Sequence, residues 1–470
     1  MPTNPLRHLP SVNELIESPQ LKGLVDKVSH NVVVTEVRSF LDGLREDLQE
    51  TAAEMNIPTR TEIADRIAAW IATDQRPKLR PVINATGILL HTGLGRSPLS
   101  DAALAAIHEC ASGYASVEVN LESGERSQRV EAVEKLITEL VGGEAALVVN
   151  NNAGATLLTL SALATGGEVI VSRGHLVEIG GSYRLPDVMT ISGAILREVG
   201  TTNKTRIGDF ENAVNDQTKA LLRVHTSNYV VAGFTEQPSL EQLVKCGRAH
   251  NLPVIDDIGS GALVDYAKYG LTGEPLAKDS LSSGADVVLF SGDKLMGGPQ
   301  CGIIVGSKRI IKRITQHPLT RALRVDKTTL AALAATLRQY RNVEEAEKSI
   351  PLLQLLSASI DNLKNRAERL APQISACPFV ESAEAIESTT FLGGGSIPTQ
   401  ELPTYCVAVT PKDIGLNQFA DQLRRGEPSV FGRVQQDRFW IDLRSVMAKQ
   451  DGQIAEAVMA LGVAEDENAD

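Results

Sequence analysis

Aromatic side chains are scarce in this chain: phenylalanine, tryptophan and tyrosine together supply 4% of its 470 residues. A protein that gripped nucleic acid chiefly by stacking bases would carry more of them. No apolar run is long enough to span a bilayer, and Met1–Pro10 lacks the apolar core of a secretory signal. Cysteine is sparse as well. Cys110, Cys246, Cys301, Cys377 and Cys406 are widely scattered, odd in number and without paired metal-ligand spacing. The expectation is therefore free thiols in a reducing cytoplasm, with no membrane contact and no metal site. Cys301, beside a glycine turn, is expected to pack rather than to act as a nucleophile. Basic charge is in deficit too. A net charge of −12 repels a polyanion at long range unless basic residues are locally concentrated. One such concentration runs through Lys308, Arg309, Lys312, Arg313, Arg321, Arg324 and Lys327.

What is present is ordinary globular material, 43% apolar and 22% charged, in a chain too long for one core. Residues 1–80 read as a separate helical domain. Leu15, Leu21, Leu24 and Val25, then Val37, Leu41, Leu44 and Leu48, recur at helical spacing, and Thr59–Ala72 continues the style. Arg76–Pro81 reads as a linker. From residue 81 to about 330 the texture changes. Leu147–Val149, Glu168–Val171, Ala220–Val224, Val254–Ile255 and Val287–Phe290 are candidate buried strands separated by helical patterns. That alternation predicts an α/β domain with a mostly parallel sheet wrapped by helices. An amphipathic segment, Thr328–Tyr340, leads away from it. Residues 331–470 read as a smaller α+β domain, with a helix over Leu352–Leu370, strands at Tyr405–Val409 and Arg438–Leu443, and a helix over Gln453–Leu461. The acidic tail beyond is expected to fray into solvent.

The most informative stretch is Gly284–Gly306. An apolar run, Val287–Phe290, stops at Ser291-Gly292-Asp293-Lys294, and a glycine turn, Gly297-Gly298-Pro299, leads into a second run, Ile303–Val305. A lysine between two buried strands is poorly placed for a solvated charge. It is well placed to bond an aldehyde cofactor, because desolvation lowers an amine's pKa and frees its lone pair. Ser291 is positioned to donate to a cofactor phosphate. Ser-x-x-Lys followed by Gly-Gly resembles the sequence around the cofactor-bearing lysine of pyridoxal-phosphate (PLP) enzymes of the aspartate-aminotransferase type. The bland alternative is a lysine capping an ordinary loop.

Four further elements suit such a site. Asn150–Thr156 follows a strand and opens an apolar helix, so the small residues at Asn152, Ala153 and Gly154 allow a phosphate to approach backbone amides at a helix N-terminus. Pro253–Gly261 is a buried strand ending in two carboxylates, Asp256 and Asp257. A carboxylate there supports a protonated cofactor ring nitrogen; Asp257 is the choice, with Asp256 on the other face, although either acid alone also reads as a turn cap. His225 and Ser227 offer polar groups at the carboxyl end of a strand, where open α/β sheets bind ligands. His175 stands near a glycine turn, where an imidazole either stacks on a cofactor ring or is simply hydrogen-bonded. The arginines form a separate set. Arg321 and Arg324 are three apart on one face of an expected helix, and Arg96 lies in a glycine-rich turn. Guanidinium forks so grouped suit a small tetrahedral oxyanion, and a plain basic helix face is the other reading.

Taken together, Arg80–Gly87, His91–Pro98, Val148–Asn152, Ser172–Pro186, His225–Tyr229, Gly259–Asp265, Ser291–Gly306 and His317–Lys327 resemble the bacterial selenocysteine synthases, the L-seryl-tRNA(Sec) selenium transferases, over nearly the whole chain. The resemblance implies the PLP-dependent transferase fold (fold type I) with a small helical N-terminal domain that grips tRNA. It implies a cytoplasmic homodecamer, a pentamer of dimers. It also implies conversion of seryl-tRNA(Sec) to selenocysteinyl-tRNA(Sec) with selenophosphate, by loss of water through an aminoacrylyl-tRNA intermediate and addition of selenium. Lys294 then carries PLP, Asp293 is a further active-site residue, and Arg96, Arg321 and Arg324 bind the phosphate of selenophosphate. The chief rival expectation is a related PLP lyase acting on a small phosphorylated amino or sugar acid. The other rival is a non-catalytic RNA-binding protein on a retired enzyme fold.

Overall fold

A computed structural model of the chain describes residues 9–50, 58–74, 77–181 and 183–461. Arg76, the side chain of Leu48 and the acidic tail fall outside the described residues. The chain divides into two compact units, Met1–Pro81 and Val82–Asp470.

The first unit is helical, over Val12–Ile16, Pro19–Val28, His30–Glu50 and Arg60–Asp74. Ser11 and Glu14 close a reciprocal capping box at its start. Its own core gathers Leu15, Leu21, Val33, Val37, Leu41, Ile63, Ile67 and Ile71, the residues that recur at helical spacing.

The second unit is built on a seven-stranded sheet. Its strands are β1 (Ala145–Val149), β2 (Glu168–Ser172), β3 (Ile195–Val199), β4 (Thr218–Val224), β5 (Val254–Gly259), β6 (Val287–Ser291) and β7 (Gly302–Gly306). The order is β1-β7-β6-β5-β4-β2-β3. Neighbours from β6 through β3 are parallel, whereas β7 runs antiparallel to both β6 and β1. Side chains alternate across a strand, and here the alternation feeds two cores. Val148, Ile170, Leu221, Val254, Val288 and Ile303 point into one. Leu147, Val169, Leu222, Ile255, Leu289 and Ile304 point into the other. Burial on both faces is why these strands read as unbroken apolar runs. β3 lacks such a run because most of its residues are not buried, Ile195 being exposed.

The segment after residue 327 opens with the helix Lys327–Gln339. The single helix expected over Leu352–Leu370 is two, Pro351–Ser357 and Ile360–Ser375. The break falls at Ser359, whose side chain accepts from the Asn362 amide and so caps a new helix. The last helix is Asp451–Met459. A four-stranded antiparallel sheet, in the order Val380–Gly393, Ser396–Pro411, Arg438–Asp442 and Arg433–Gln435, packs against Ile360–Ser375 over a third core. Val82–Asn84 pairs in parallel with Ser429–Phe431, so the start of the second unit is tied to its far end. Among the described residues, no helix is long and apolar enough to cross a membrane.

Candidate active site

The carboxyl ends of β5 and β6 and the N-terminus of the helix Asn152–Ala164 converge on one cavity of about 260 Å³. Asn152, Ala153, His225, Ser227, Asp257 and Ser291 line it, with Arg96, Asp293 and Lys294. These nine sequence-predicted residues therefore meet, although long stretches of chain separate them.

Lys294 is 5% exposed. Burial lowers the proton affinity of its amine below the ordinary lysine value, the nearby Arg96 guanidinium adds to that, and Asp293, Asp257 and Glu274 oppose it. The neutral amine, the form able to attack a carbonyl carbon, is thereby favoured. The tight loop that carries it needs glycine at Gly292, where a Cβ would lie 2.5 Å from Cys301 Sγ and 2.7 Å from the Pro299 carbonyl oxygen. Cys301 is fully buried and fills that space. Gly302 matters as much: a Cβ there would meet the Asn151 carbonyl oxygen at 2.2 Å. Its absence lets the asparagine turn close over the lysine loop.

Asp257 is also buried, and desolvation raises its proton affinity. Two donors offset that: Asn152 Nδ2 donates to Oδ1 at 2.8 Å and Thr156 Oγ1 donates to Oδ2 at 2.9 Å. Asp256 points elsewhere, to the Arg223 guanidinium 3.2 Å away, and does not line the cavity. Asp257 is thus the carboxylate available to a ligand. Arg96 has a left-handed backbone (φ 62°) and donates through Nη1 to Asp293 Oδ2 at 2.8 Å. This ion pair clamps the glycine turn to the lysine loop.

Three expectations meet a different arrangement. Gly154 does not line the cavity, because its amide donates to the Asn151 cap at 2.7 Å. His175 is buried away from the cavity wall: its Nδ1 accepts from the Val224 amide at 3.5 Å and its Nε2 faces Gln237 Oε1 at 3.4 Å. Burial lowers its pKa to about 4, so it is neutral. Arg321 and Arg324 do not share a helix face, since the helix Leu319–Ala322 ends at Leu323 and Arg324 instead bridges Val149. Both line a second cavity of about 490 Å³, where Arg126 and Arg129 join them and Glu118 lies 3.6 Å from Arg324. Arg96 is not among them. Thr156, Tyr183 and Gln300, which sequence reasoning did not single out, complete the surroundings of Asp257 and Lys294. Gln300 directly follows the glycine turn of the lysine loop itself, whereas Tyr183 lies in no recognisable spacing and only the fold brings it in.

The residues fit PLP. Lys294 offers an amine to an aldehyde, Asp257 an acceptor to a ring N–H, and Asn152 and Ala153 first-turn amides to a phosphate. Asn152 Oδ1 is buried without a partner, as expected of a site shaped around a ligand. A solved structure of D-glucosaminate-6-phosphate ammonia-lyase is similar to this chain, with 24% identity, a TM-score of 0.57, and coverage of 83% of this chain and 97% of that one. The architecture is that of the PLP-dependent transferases of the aspartate-aminotransferase type, fold type I. A family model described as L-seryl-tRNA selenium transferase matches residues 82–447, and one described as selenocysteine synthase N terminal matches residues 6–45. The L-seryl-tRNA(Sec) selenium transferase of Moorella thermoacetica is 46% identical over 97% of both chains. That of Geobacter sulfurreducens is 44% identical over 93% of this chain and 95% of its own. The chain belongs to the L-seryl-tRNA selenium transferase family.

Proposed function

We propose that this protein converts seryl-tRNA(Sec) to selenocysteinyl-tRNA(Sec), with PLP bound at Lys294 and selenophosphate as selenium donor. The observation that carries the reading is a buried amine of lowered proton affinity in the same cavity as a donor-held carboxylate, in a chain of this family.

When bound, PLP supplies an aldehyde and an electron-withdrawing ring that accepts the charge left at the substrate Cα. Lys294 would hold its aldehyde carbon, Asp257 its ring nitrogen, and Asn152, Ala153, Ser227 and Ser291 its phosphate. The rest of the chemistry belongs to the chain. Set free when the seryl amino group takes its place at the aldehyde carbon, the Lys294 amine, whose proton affinity burial lowers, takes the α-proton of the seryl group. Asp293, held by Arg96, fixes the loop from which that amine acts. The β-hydroxyl leaves as water with the proton that Lys294 took, selenium bonds to the β-carbon as the donor's P–Se bond breaks, and the phosphorus takes an oxygen from water and departs as phosphate.

Arg96, Arg321 and Arg324 serve that phosphate. Within one chain Arg96 lies in the lysine cavity and the other two line the second cavity. The three would act on one phosphate where a second copy brings its own Arg321 and Arg324 to the mouth of the first. This agrees with the cytoplasmic decamer of paired dimers that the family resemblance implies. The helical unit Met1–Pro81 holds the tRNA, so the overall negative charge is no obstacle if that surface alone is attractive.

The test is selenium incorporation by the purified protein with PLP and selenophosphate. Transfer to seryl-tRNA(Sec) and none to seryl-tRNA(Ser) is expected. Failure with both, alongside turnover of a small phosphorylated amino or sugar acid, would point to a lyase.

A further inference from the structure

A third cavity, of about 490 Å³, adjoins the lysine cavity, and His225 and Ser227 belong to the walls of both. Its unusual member is Glu274, in the segment between the short turn Tyr266–Tyr269 and the helix Ala277–Ser282. The Glu274 side chain is only 3% exposed, yet its one ion-pair partner among the described residues is His225, whose Nε2 lies 3.7 Å from Oε2. The other oxygen, Oε1, is buried with no donor. The site around it is built rather than loose. The Thr272 amide donates to Gln400 Oε1 and Gln400 Nε2 donates back to the Thr272 carbonyl, each at 2.7 Å, which fixes the segment to the strand Ser396–Pro411.

A buried carboxylate oxygen left without a donor is costly, and each such group in a folded protein calls for an explanation. A ligand that brings its own donor supplies one. On the function proposed above, the seryl group reacts at Lys294 while still esterified to the terminal ribose of its tRNA. Only a few bonds separate the reacting amine from that ribose, so the sugar must lie next to the lysine cavity. The Glu274 cavity is next to it and shares two wall residues. Val230 and Val231 give it an apolar side suited to a nucleoside. The ribose hydroxyl beside the ester is a neutral donor, matched to one open carboxylate oxygen. His225 already faces the other oxygen, so a single donor completes the carboxylate.

We propose that this cavity is the subsite for the 3′-terminal nucleoside of the aminoacyl-tRNA, with Glu274 accepting a hydrogen bond from the ribose hydroxyl adjacent to the ester. Glu274 would thereby read the acceptor end as ribose and orient the ester toward Lys294.

The experiment measures equilibrium binding to the holoenzyme without selenium donor, and KM with it. It compares ordinary seryl-tRNA(Sec) with seryl-tRNA(Sec) whose terminal nucleoside lacks that one hydroxyl. The wild type is expected to bind the deoxy-ended form roughly tenfold more weakly or worse, the usual loss for a hydrogen bond to a buried charge. Glu274→Ala is expected to bind the two forms alike, and Glu274→Gln, which keeps the shape and an acceptor, to fall between. If the alanine variant fails to fold, the glutamine variant against the wild type carries the comparison. Equal binding of the two tRNAs by an active wild type overturns the subsite alone, as does full discrimination surviving in Glu274→Ala. In those cases Glu274 serves only as the partner of His225. A wild type that converts neither tRNA overturns the function on which this inference rests.

Discussion

Replacing Asp257 by asparagine separates what the carboxylate does for the fold from what it does for the cofactor. Asp257 is buried, and desolvation holds its proton affinity above the ordinary carboxylate value despite donors from Asn152 and Thr156. A folded-state pKa raised above the unfolded one means that the folded state holds the proton more firmly. The stability so gained is present at low pH and is lost as pH rises through the folded value. Toward neutral pH the raised proton affinity of Asp257 is thus a burden on the empty protein. Asparagine fits the same space: its oxygen faces Asn152 Nδ2 and its amide faces the Thr156 hydroxyl, which is free to turn and accept. The cofactor-free Asp257→Asn protein is therefore expected to melt no lower than the wild type at pH 7 to 8, and to lose less stability as pH rises. The cofactor is expected to suffer. A hydrogen bond to a charged group is worth about 1.5–3 kcal/mol, so PLP affinity should fall about ten- to a hundredfold. Turnover should fall by a further factor on the order of 10² or more, typical of losing one preorganised electrostatic group. Thermal melts, absorbance titration with PLP and selenium incorporation read the three effects. Unchanged affinity and turnover would refute the assignment of Asp257 to the ring nitrogen. An empty protein that melts lower would refute the account of its burial.

His175, neutral and with a pKa lowered from 6.5 to about 4 by burial, must be protonated on unfolding below pH 6.5. Its contribution is present above that pH and lost as pH falls toward 4, up to about 3 kcal/mol. His175→Gln should remove that part of the acid sensitivity, and parallel urea-midpoint-versus-pH curves for the two proteins would show that it does not. Arg321→Ala with Arg324→Ala should raise the selenophosphate concentration needed for half-maximal rate by tenfold or more while leaving PLP absorbance unchanged. An unaltered donor dependence would make these arginines surface charge.

Much of the large sheet was legible because its strands are buried on both faces. Val287–Phe290 and Ile303–Val305 show that burial as plain apolar runs, whereas the half-exposed edge strand Ile195–Val199 offers no such signal. The helix break at Ser359 was hidden by apolar residues on both sides, and only the capping geometry reveals it. Lys294 and Asp257 were readable from local chemistry, each being a polar residue where an apolar strand stops. Thr156 and Glu274 were not, because their significance lies in partners that the sheet order alone brings near: Thr156 meets Asp257 across 101 residues. The Arg321–Arg324 spacing does not make a shared helix face for a physical reason, since the helix Leu319–Ala322 ends before Arg324, which bridges Val149 instead.

The most direct test is to saturate the protein with PLP, reduce it with borohydride and map the digest by mass spectrometry. The pyridoxyl group is expected on the peptide containing Lys294, and Lys294→Ala should leave no labelled peptide. A label on another lysine, or none at saturating cofactor, would contradict the account.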